Sequence, residues 1–410
     1  MKPQDFGVGS RKAFFHPFHK NHDISGFKSF LSKKAPIWSL GKWRKRCGNA
    51  SIKGRCFFCS GRGKSEKTTL LKELFSGDDS VLWLSGDEPD VREMFRDITS
   101  TRLAQYIGSK AFLVIDEAQR HPDVGVKLKL IADNIPDVQL IATGSSAFEL
   151  ANEANEPLTG RKVEFRLHPL SFAEMVAENG LLCEKRLIPH RLVFGYYPDI
   201  VTHAGKEAEL LSELSESYLY KDILMADKIK KSEGIMRLLQ AIAYQIGSEV
   251  SMSELAQISG LDPKTADRYV TMLEQAYIVF RLPSFSRNLR NELKHSRKIF
   301  FWDNGIRNAV IRNYAPIEAR ADKGALFENF AIAERLKFLG NTRSLARSWF
   351  WRTTAAQEID YLEELDGKLC AYEVKLNPKR KVSAPLSFRN AYPGVDFKKI
   401  TTSNFEAFVL

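Results

Sequence analysis

Short apolar runs alternate with amphipathic stretches over residues 56–146. Four of the runs predict buried strands, namely "CFFC", "VLWL", "FLVI" and "VQLIA". The stretch after the first run, "KTTLLKELF", places Leu70, Leu71, Leu74 and Phe75 at helical spacing. Because strands that alternate with helices are typical of parallel sheets, this half of the chain is predicted to be an α/β domain with a parallel sheet.

A glycine-rich segment joins the first predicted strand to the first predicted helix. Read from Gly61, "GRGKSEKT" has the spacing of a phosphate-binding loop that ends in Lys67-Thr68, with Glu66 in place of the second glycine. A second register, built on the "GKS" that starts at Gly63, would need a glycine at position 58, where the chain has phenylalanine. A strand, a glycine loop and a helix opened by Lys-Thr favour the first register, because helix N–H groups and a lysine then face the phosphates.

Three further segments supply candidate groups for nucleotide chemistry. The third strand ends in Asp116-Glu117, where Asp116 is expected to help hold Mg²⁺ and Glu117 to polarise the attacking water. The fourth strand ends in small polar residues, among which Ser145 is the expected sensor of the γ-phosphate. Arg161 follows a glycine and is a candidate for stabilising transition-state charge, in cis or across a subunit contact. An ordinary surface arginine is the alternative.

Residues 234–285 have the layout of a helix (235–246) followed by two short helices separated by a turn and then by a strand. Gly260 predicts the end of the first short helix, and Asp262-Pro263 predict the cap and first position of the second. We interpret this as a winged helix. In a DNA reader, four residues of the second helix would face the major groove, namely Lys264, Thr265, Arg268 and Tyr269. The alternative is a protein-packing module, since acidic residues interrupt the basic ones.

The C-terminal part carries a constellation of carboxylates. Two strands joined by the turn "DG" bear Asp360 on the first and Glu373 and Lys375 on the second, and Glu328 lies on an amphipathic helix upstream. Carboxylates at this spacing are expected to hold Mg²⁺ while Lys375 positions a water and offsets charge, as in nucleases that cut phosphodiesters. A structural Asp360–Lys375 ion pair without catalysis is the alternative.

The ordered set of motifs resembles a family, the prokaryotic AAA-family ATPases that end in domain of unknown function 4143. The motifs run from residue 56 to the C-terminus: "GRGKSEKTTLLKELF", "VIDEAQ", "LIATGSSAFEL", "LTGRKVEFRLHPLSFAEM", "YLYKDIL", "FFWDNGIRNAVI", "GALFENFAIAERL" and "QEIDYLEELDGKLCAYEVK". The resemblance implies ATP binding with Lys67, Thr68 and Asp116 in the motif positions, with Thr69 beside them, and Thr68 and Asp116 on Mg²⁺. The tail is similar to the PD-(D/E)xK nuclease core.

This chain departs from the family at three places. Glu66 replaces a loop glycine, so a carboxylate lies beside the position of a polyanionic ligand and is expected to weaken nucleotide binding. Ile359 precedes Asp360 where the nuclease motif has proline. The first 55 residues do not resemble the start of the family.

The charge of the chain is divided unevenly. The net charge is +11 over 410 residues, yet residues 1–66 hold 15 basic and three acidic residues, so the remainder is nearly neutral. The basic leader has three interpretations: a nucleic-acid-binding arm, a poorly ordered segment, or a product of a shifted reading frame. The sequence shows no apolar run long enough to span a bilayer and few cysteines, so we expect a cytoplasmic protein without a membrane partner.

These observations predict a protein of five parts. They are a basic leader (1–50), a P-loop AAA-type ATPase domain (51–175), a helical connector (176–230), a winged helix (231–290) and a restriction-endonuclease-like α/β domain (291–410). The expected function is ATP hydrolysis with Mg²⁺, coupled to DNA, RNA or a protein partner. A metal-dependent nuclease with a weakened ATP site is the alternative, and a frame-altered product with neither activity is a third possibility. The oligomeric state stays open.

Overall fold

The computed structural model describes residues 56–61, 64–144, 158, 160–226, 232–286 and 297–410. The predicted leader (1–50) lies outside these ranges, so its three interpretations stay predictions. Within the described ranges, no helix is both long and apolar enough to cross a membrane.

The first sheet has five parallel strands in the order β2–β3–β4–β1–β5. The strands are β1 (Cys56–Gly61), β2 (Val81–Ser85), β3 (Phe112–Asp116), β4 (Gln139–Gly144) and β5 (Lys162–Leu167). The helices between them are α1 (Lys64–Leu74), α2 (Pro89–Arg96), α3 (Ser100–Ile107) and α4 (Val124–Asn134). The prediction of an α/β domain with a parallel sheet is confirmed.

Alternation along β1 supplies apolar side chains to both faces of this sheet. Phe58 packs in the cluster that includes Leu140, while Phe57 packs with Ile141 on the other side. The polar ends of the parallel strands therefore meet at one edge, above a core that is buried on both faces.

Five helices follow the first sheet. They are α5 (Phe172–Asn179), α6 (Leu181–Phe194), α7 (Pro198–Thr202), α8 (Glu207–Ala226) and α9 (Ser232–Tyr244). Ser171 caps α5 in a reciprocal capping box with Glu174. The same turn is held by a buried ion pair of the C-terminal part: Phe172 N–H donates to Glu334 Oε2 at 2.5 Å, and Lys337 Nζ donates to Leu170 O at 3.0 Å.

The two predicted helices of the middle region are present as α10 (Met252–Ser259) and α11 (Pro263–Gln275). Gly260 ends α10 in the left-handed conformation, and Asp262 accepts a hydrogen bond from Thr265 N at 3.0 Å, as the caps predicted. Tyr269 is buried in the core, which corrects its predicted position facing DNA, whereas Lys264 and Arg268 are exposed.

A small antiparallel sheet in the order β6–β8–β7 accompanies these helices. Its strands are β6 (Glu249–Val250), β7 (Val279–Pro283) and β8 (Arg297–Phe301). The domain boundary predicted at residue 290 lies between β7 and β8, which pair with each other in this one sheet.

The C-terminal sheet has the order β12–β11–β10–β9, with only the β11–β12 pair parallel. Its elements follow α12 (Asn304–Val310) and are α13 (Lys323–Thr342), β9 (Arg347–Arg352), β10 (Glu358–Leu365), β11 (Lys368–Val374), α14 (Leu386–Ala391), β12 (Asp396–Ile400) and α15 (Glu406–Val409). The predicted turn is a two-residue hairpin with φ of 51° at Asp366 and 77° at Gly367.

The two glycines that flank α6 are expected to respond differently to substitution by alanine. Gly180 and Gly195 flank α6 with φ of +81° and +71°, but a Cβ at Gly180 would meet no atom within 4 Å, whereas one at Gly195 would lie 2.0 Å from Asp303 Oδ1. A shift of the Asp303 side chain would be unfavourable, because it accepts hydrogen bonds from Tyr196 N at 2.7 Å and from Ile306 N at 3.2 Å.

We therefore expect Gly180→Ala to cost about 1–2 kcal/mol from the left-handed backbone alone. Gly195→Ala should cost roughly 1–3 kcal/mol more, from overpacking. The measurement is the thermal unfolding midpoint of each full-length variant. Equal shifts for the two would contradict the close approach of Asp303.

Candidate functional site

The carboxyl ends of β1, β3 and β4 meet at one edge of the parallel sheet, beside α1. Asp116 ends β3, and Thr68 Oγ1 on α1 donates a hydrogen bond to its Oδ2 at 2.7 Å. Thr143 Oγ1 on β4 donates to the other oxygen, Oδ1. Strand register explains the second contact, because Ile115 pairs with Ala142 and the residues that follow are therefore neighbours. Two neutral hydroxyls thus fix the carboxylate without cancelling its charge.

Glu117 follows Asp116 in the left-handed conformation, with φ of 51°, and is buried. Its N–H donates to Thr143 Oγ1 at 3.1 Å, and Gln119 Nε2 donates to its Oε2 at 2.9 Å. Gly86 lies so close that a Cβ there would be 2.3 Å from the Glu117 carbonyl oxygen. Contacts with both neighbouring strands therefore hold the backbone after Asp116 and fix the position of the Glu117 backbone.

The first helix begins earlier than predicted, at Lys64 rather than at Lys67. Glutamate is a better helix former than glycine by roughly 0.5–1 kcal/mol, so Glu66 favours helical backbone just before Lys67. Lys67 is fully buried, and Thr68 and Thr69 are partly buried. The predicted lysine and threonine therefore lie in the first turns of α1, and Thr68 reaches Asp116.

Gly61, Gly63 and Ser145 complete the set predicted to bind nucleotide. Gly61 is the last residue of β1, at the edge where Asp116 lies. Gly63 and Ser145 lie outside the described residues, so their roles stay predictions. Thr143, two positions before Ser145, was not predicted. Its signal was present, since it is a polar residue in the strand that neighbours the one ending in Asp116.

The structure places Arg161 at the opposite edge of the sheet. Arg161 precedes β5, and its carbonyl accepts a hydrogen bond from Cys56 N at the first residue of β1. Its side chain is partly exposed and pairs with Asp133 on α4 at 2.5 Å. A strand of this length separates it from the Asp116 edge, so the predicted role in cis does not fit. A role across a subunit contact stays a prediction.

The predicted C-terminal residues do meet. Lys375 Nζ lies 3.0 Å from Asp360 Oδ2 and 2.7 Å from Glu373 Oε1. Val374 N–H donates to the same Asp360 oxygen at 2.8 Å. Glu328 on α13 joins this group, because one carboxylate oxygen each from Glu328, Glu358 and Asp360 lies within 4.8 Å of the others.

Two members of this carboxylate cluster were not predicted, Glu358 and Lys298. Glu358 precedes Asp360 by two positions on β10, so strand alternation was a usable signal. Lys298 comes from β8 in the other sheet and contacts Glu328 Oε1 at 3.0 Å as well as Glu358 Oε1. No local pattern marks it.

The cluster shifts the pKa values of its members. Burial raises the pKa of Glu328 to about 7; the Asp360 carboxylate adds to this rise, and Lys298 opposes it. For Lys298, burial lowers the pKa, but the carboxylates of Glu328 and Glu358 outweigh burial and raise it. Lys298 is therefore a charged ammonium, buried among carboxylates.

The two sites fit a divalent cation differently. At the sheet edge, the Thr68 hydroxyl and the Asp116 carboxylate converge with no cationic side chain bound to Asp116 in the described residues, which suits the oxygen ligands that Mg²⁺ prefers. In the carboxylate cluster, Lys298 already contacts Glu328 and Glu358, and Lys375 contacts Asp360 and Glu373. A divalent cation bound by the predicted ligands there, Glu328, Asp360 and Glu373, would compete with these two lysines, so their metal role stays a prediction.

Comparison with protein families agrees with the sheet-edge geometry. A model described as "AAA domain" matches residues 56–176. The chain contains an AAA domain. Models of two domains of unknown function, DUF8612 and DUF4143, match residues 185–316 and 323–404. The predicted AAA domain and C-terminal domain 4143 are therefore confirmed, whereas the winged helix and the nuclease-like character stay predictions.

Similar proteins give no activity to transfer. Uncharacterised proteins of Mycobacterium bovis and Mycobacterium tuberculosis are each 26% identical over 70% of this chain, and the match spans 64% of their own length. An uncharacterised protein of Haemophilus influenzae is 25% identical over 44% of this chain and 48% of its own length. A solved structure of Drosophila ORC bound to AT-rich DNA and Cdc6 matches at 14% identity with a TM-score of 0.26, covering 71% of this chain and 95% of that one.

The hydrogen bonds of Thr143 predict that two substitutions at this position will differ in stability. Thr143→Val keeps the shape but removes the hydroxyl that serves both the Asp116 carboxylate and Glu117 N–H. Leaving these buried groups unsatisfied should cost about 1–3 kcal/mol. Thr143→Ser, which keeps the hydroxyl, is the matched control and should lose less. Thermal unfolding of both variants is the measurement, and an unchanged midpoint for Thr143→Val would contradict the network.

Proposed function

We propose that this protein binds and hydrolyses Mg-ATP at the edge of the parallel sheet. The observation that carries the proposal is the Thr68–Asp116–Thr143 network, beside a fully buried Lys67 in the first turns of α1. A hydroxyl and a carboxylate that converge at the start of a helix suit a magnesium ion beside phosphates. The AAA domain matched over residues 56–176 supports the same activity.

Each group has a distinct role in this proposal. The Lys67 ammonium and the amides at the start of α1 hold the phosphates, and Thr68 and Asp116 hold the metal. Bound Mg²⁺ offsets negative charge on the β- and γ-phosphates. Glu117, placed by its turn after Asp116, orients the attacking water.

Coupling to a partner is the part of the proposal that rests on the middle region. Two exposed basic residues of α11, Lys264 and Arg268, offer positive charges to a nucleic-acid backbone. Asp267 on the same helix binds Arg281 at 2.8 Å, so the helix face is of mixed charge. DNA, RNA and a protein partner therefore all stay open, and ATP is the ligand that we infer from the site itself.

The alternative function, a metal-dependent nuclease, would use the C-terminal domain. The observation that favours it is the meeting of Asp360, Glu373 and Lys375 next to Glu328, as the nuclease resemblance predicted. No cleavage step follows from this arrangement, because Lys298 already contacts two of the carboxylates. We therefore favour the ATPase.

Substitutions on α1 and at the end of β3 test the ATP site. Lys67→Met removes the charge of the buried lysine and keeps most of its length, so Mg-ATP binding should weaken at least tenfold, about 1.4 kcal/mol. Asp116→Asn should abolish hydrolysis. Lys72→Met is the matched control, because Lys72 lies exposed on the same helix. Titration calorimetry and phosphate release are the measurements, and unchanged ATP binding by Lys67→Met would refute the proposed site.

Glu66→Gly tests whether the loop of this chain is weakened. A carboxylate about 4 Å from a phosphate charge costs roughly 1 kcal/mol in water and about 4 kcal/mol at intermediate dielectric. Glycine at position 66 should therefore tighten Mg-ATP binding by about fivefold or more. Calorimetry on the two chains side by side gives the answer. Equal affinities would show that Glu66 points away from the nucleotide.

A further inference from the structure

Lys298 is the most completely buried charged group of the carboxylate cluster. Its side chain is 1% exposed, although it belongs to a strand of the small sheet and not to the C-terminal sheet. Its Nζ lies 3.0 Å from Glu328 Oε1 and contacts Glu358 Oε1. The ring centroids of Phe300 and Phe350 lie 6.0 and 5.6 Å from the same nitrogen. The ammonium thus contacts two carboxylates and lies near two aromatic rings.

The other carboxylates of the cluster also form ion pairs with lysine or arginine side chains of the protein. Lys375 binds Asp360 and Glu373, and Arg352 Nη1 lies 3.2 Å from Glu358 Oε2. Every carboxylate of this cluster that the resemblance or the geometry offers as a metal ligand therefore already contacts a lysine or an arginine. An added divalent cation would have to displace these partners, and removing one member of a buried ion pair is strongly unfavourable.

The donor geometry of an ammonium suits this position. Lysine offers three hydrogen-bond donors and no acceptor, so carboxylates of different elements can converge on it. Glu328 comes from α13 and Glu358 from β10, while Lys298 comes from β8. A second contact reinforces the same join, since Arg352 on β9 lies 3.2 Å from Glu249 on β6.

We propose that the Lys298 ammonium occupies the cation position of the C-terminal carboxylate cluster, so that the cluster joins the small sheet to the C-terminal sheet and binds no divalent metal. The cation is built into the chain. The carboxylates that resemble a nuclease site then serve as an ionic joint between two sheets.

Removing the lysine should turn the joint into a metal site. In Lys298→Met, the three carboxylate oxygens that lie within 4.8 Å of one another lose the ammonium that contacts Glu328 and Glu358. We expect this variant to gain one Mn²⁺ site at least tenfold tighter than any site of the parent chain. The gain should vanish when Glu328→Gln is added.

The titration uses full-length chains without nucleotide, followed by the electron paramagnetic resonance signal of free Mn²⁺. All chains carry Asp116→Asn, so that the nucleotide site contributes no metal. Lys337→Met is the matched control, because Lys337 is an equally buried lysine that pairs with the single carboxylate of Glu334. It should gain no Mn²⁺ site.

Two results would overturn the proposal. One is a parent chain that binds Mn²⁺ and loses it with Glu328→Gln, since Lys298 would then not hold the position. The other is a folded Lys298→Met that takes up no Mn²⁺. If Lys298→Met does not fold, the parent chain still decides: EDTA should leave its thermal unfolding midpoint unchanged, and a fall in EDTA that MnCl₂ reverses would refute the lysine-filled joint.

Discussion

The fixed position of the Asp116 carboxylate is the constraint on which the nucleotide edge depends. Parallel pairing of β3 with β4 aligns Asp116 with Thr143, and the nearby start of α1 brings Thr68 to the other oxygen. Each partner is a neutral hydroxyl, so the carboxylate is oriented without an opposing charge. The same network fixes the position of Glu117, because its N–H donates a hydrogen bond to Thr143 Oγ1. A slip of one residue in the β3–β4 register would separate all of these groups.

Buried polar contacts also connect the parts of the chain. Ser60, the residue before Gly61, shares a hydrogen bond of 2.9 Å with the Tyr277 hydroxyl, which follows α11. The Glu334–Lys337 pair on α13 binds backbone groups of the turn before α5. Such contacts are worth little if misaligned, because an unsatisfied buried group costs more than a satisfied one contributes. They therefore favour one relative placement of the segments they join.

The features that the sequence predicted are those that short-range patterns of residues determine. The strand and helix alternation, the Asp262 cap, the hairpin turn and the meeting of Asp360, Glu373 and Lys375 follow from residues close in sequence. Thr143 was missed, and the expected role of Arg161 in cis does not fit, since the places of both residues depend on strand register: Thr143 lies beside Asp116, and Arg161 lies at the opposite edge. The burial of Lys298 could not be predicted from the sequence, because a charged residue on a short strand is expected to be solvent-exposed unless the sheet that faces it is known.

The two carboxylate sites show how little the acidic residues alone decide. Asp116 and Asp360 each end or occupy a strand, and each is bound by two groups of the protein. The partners of Asp116 are neutral hydroxyls, so a negative charge is left for an external cation. Asp360 binds the ammonium of Lys375, and its neighbours Glu328 and Glu358 bind Lys298, so little charge is left. The charge of the partner, supplied by another element, therefore separates a metal site from an ionic joint.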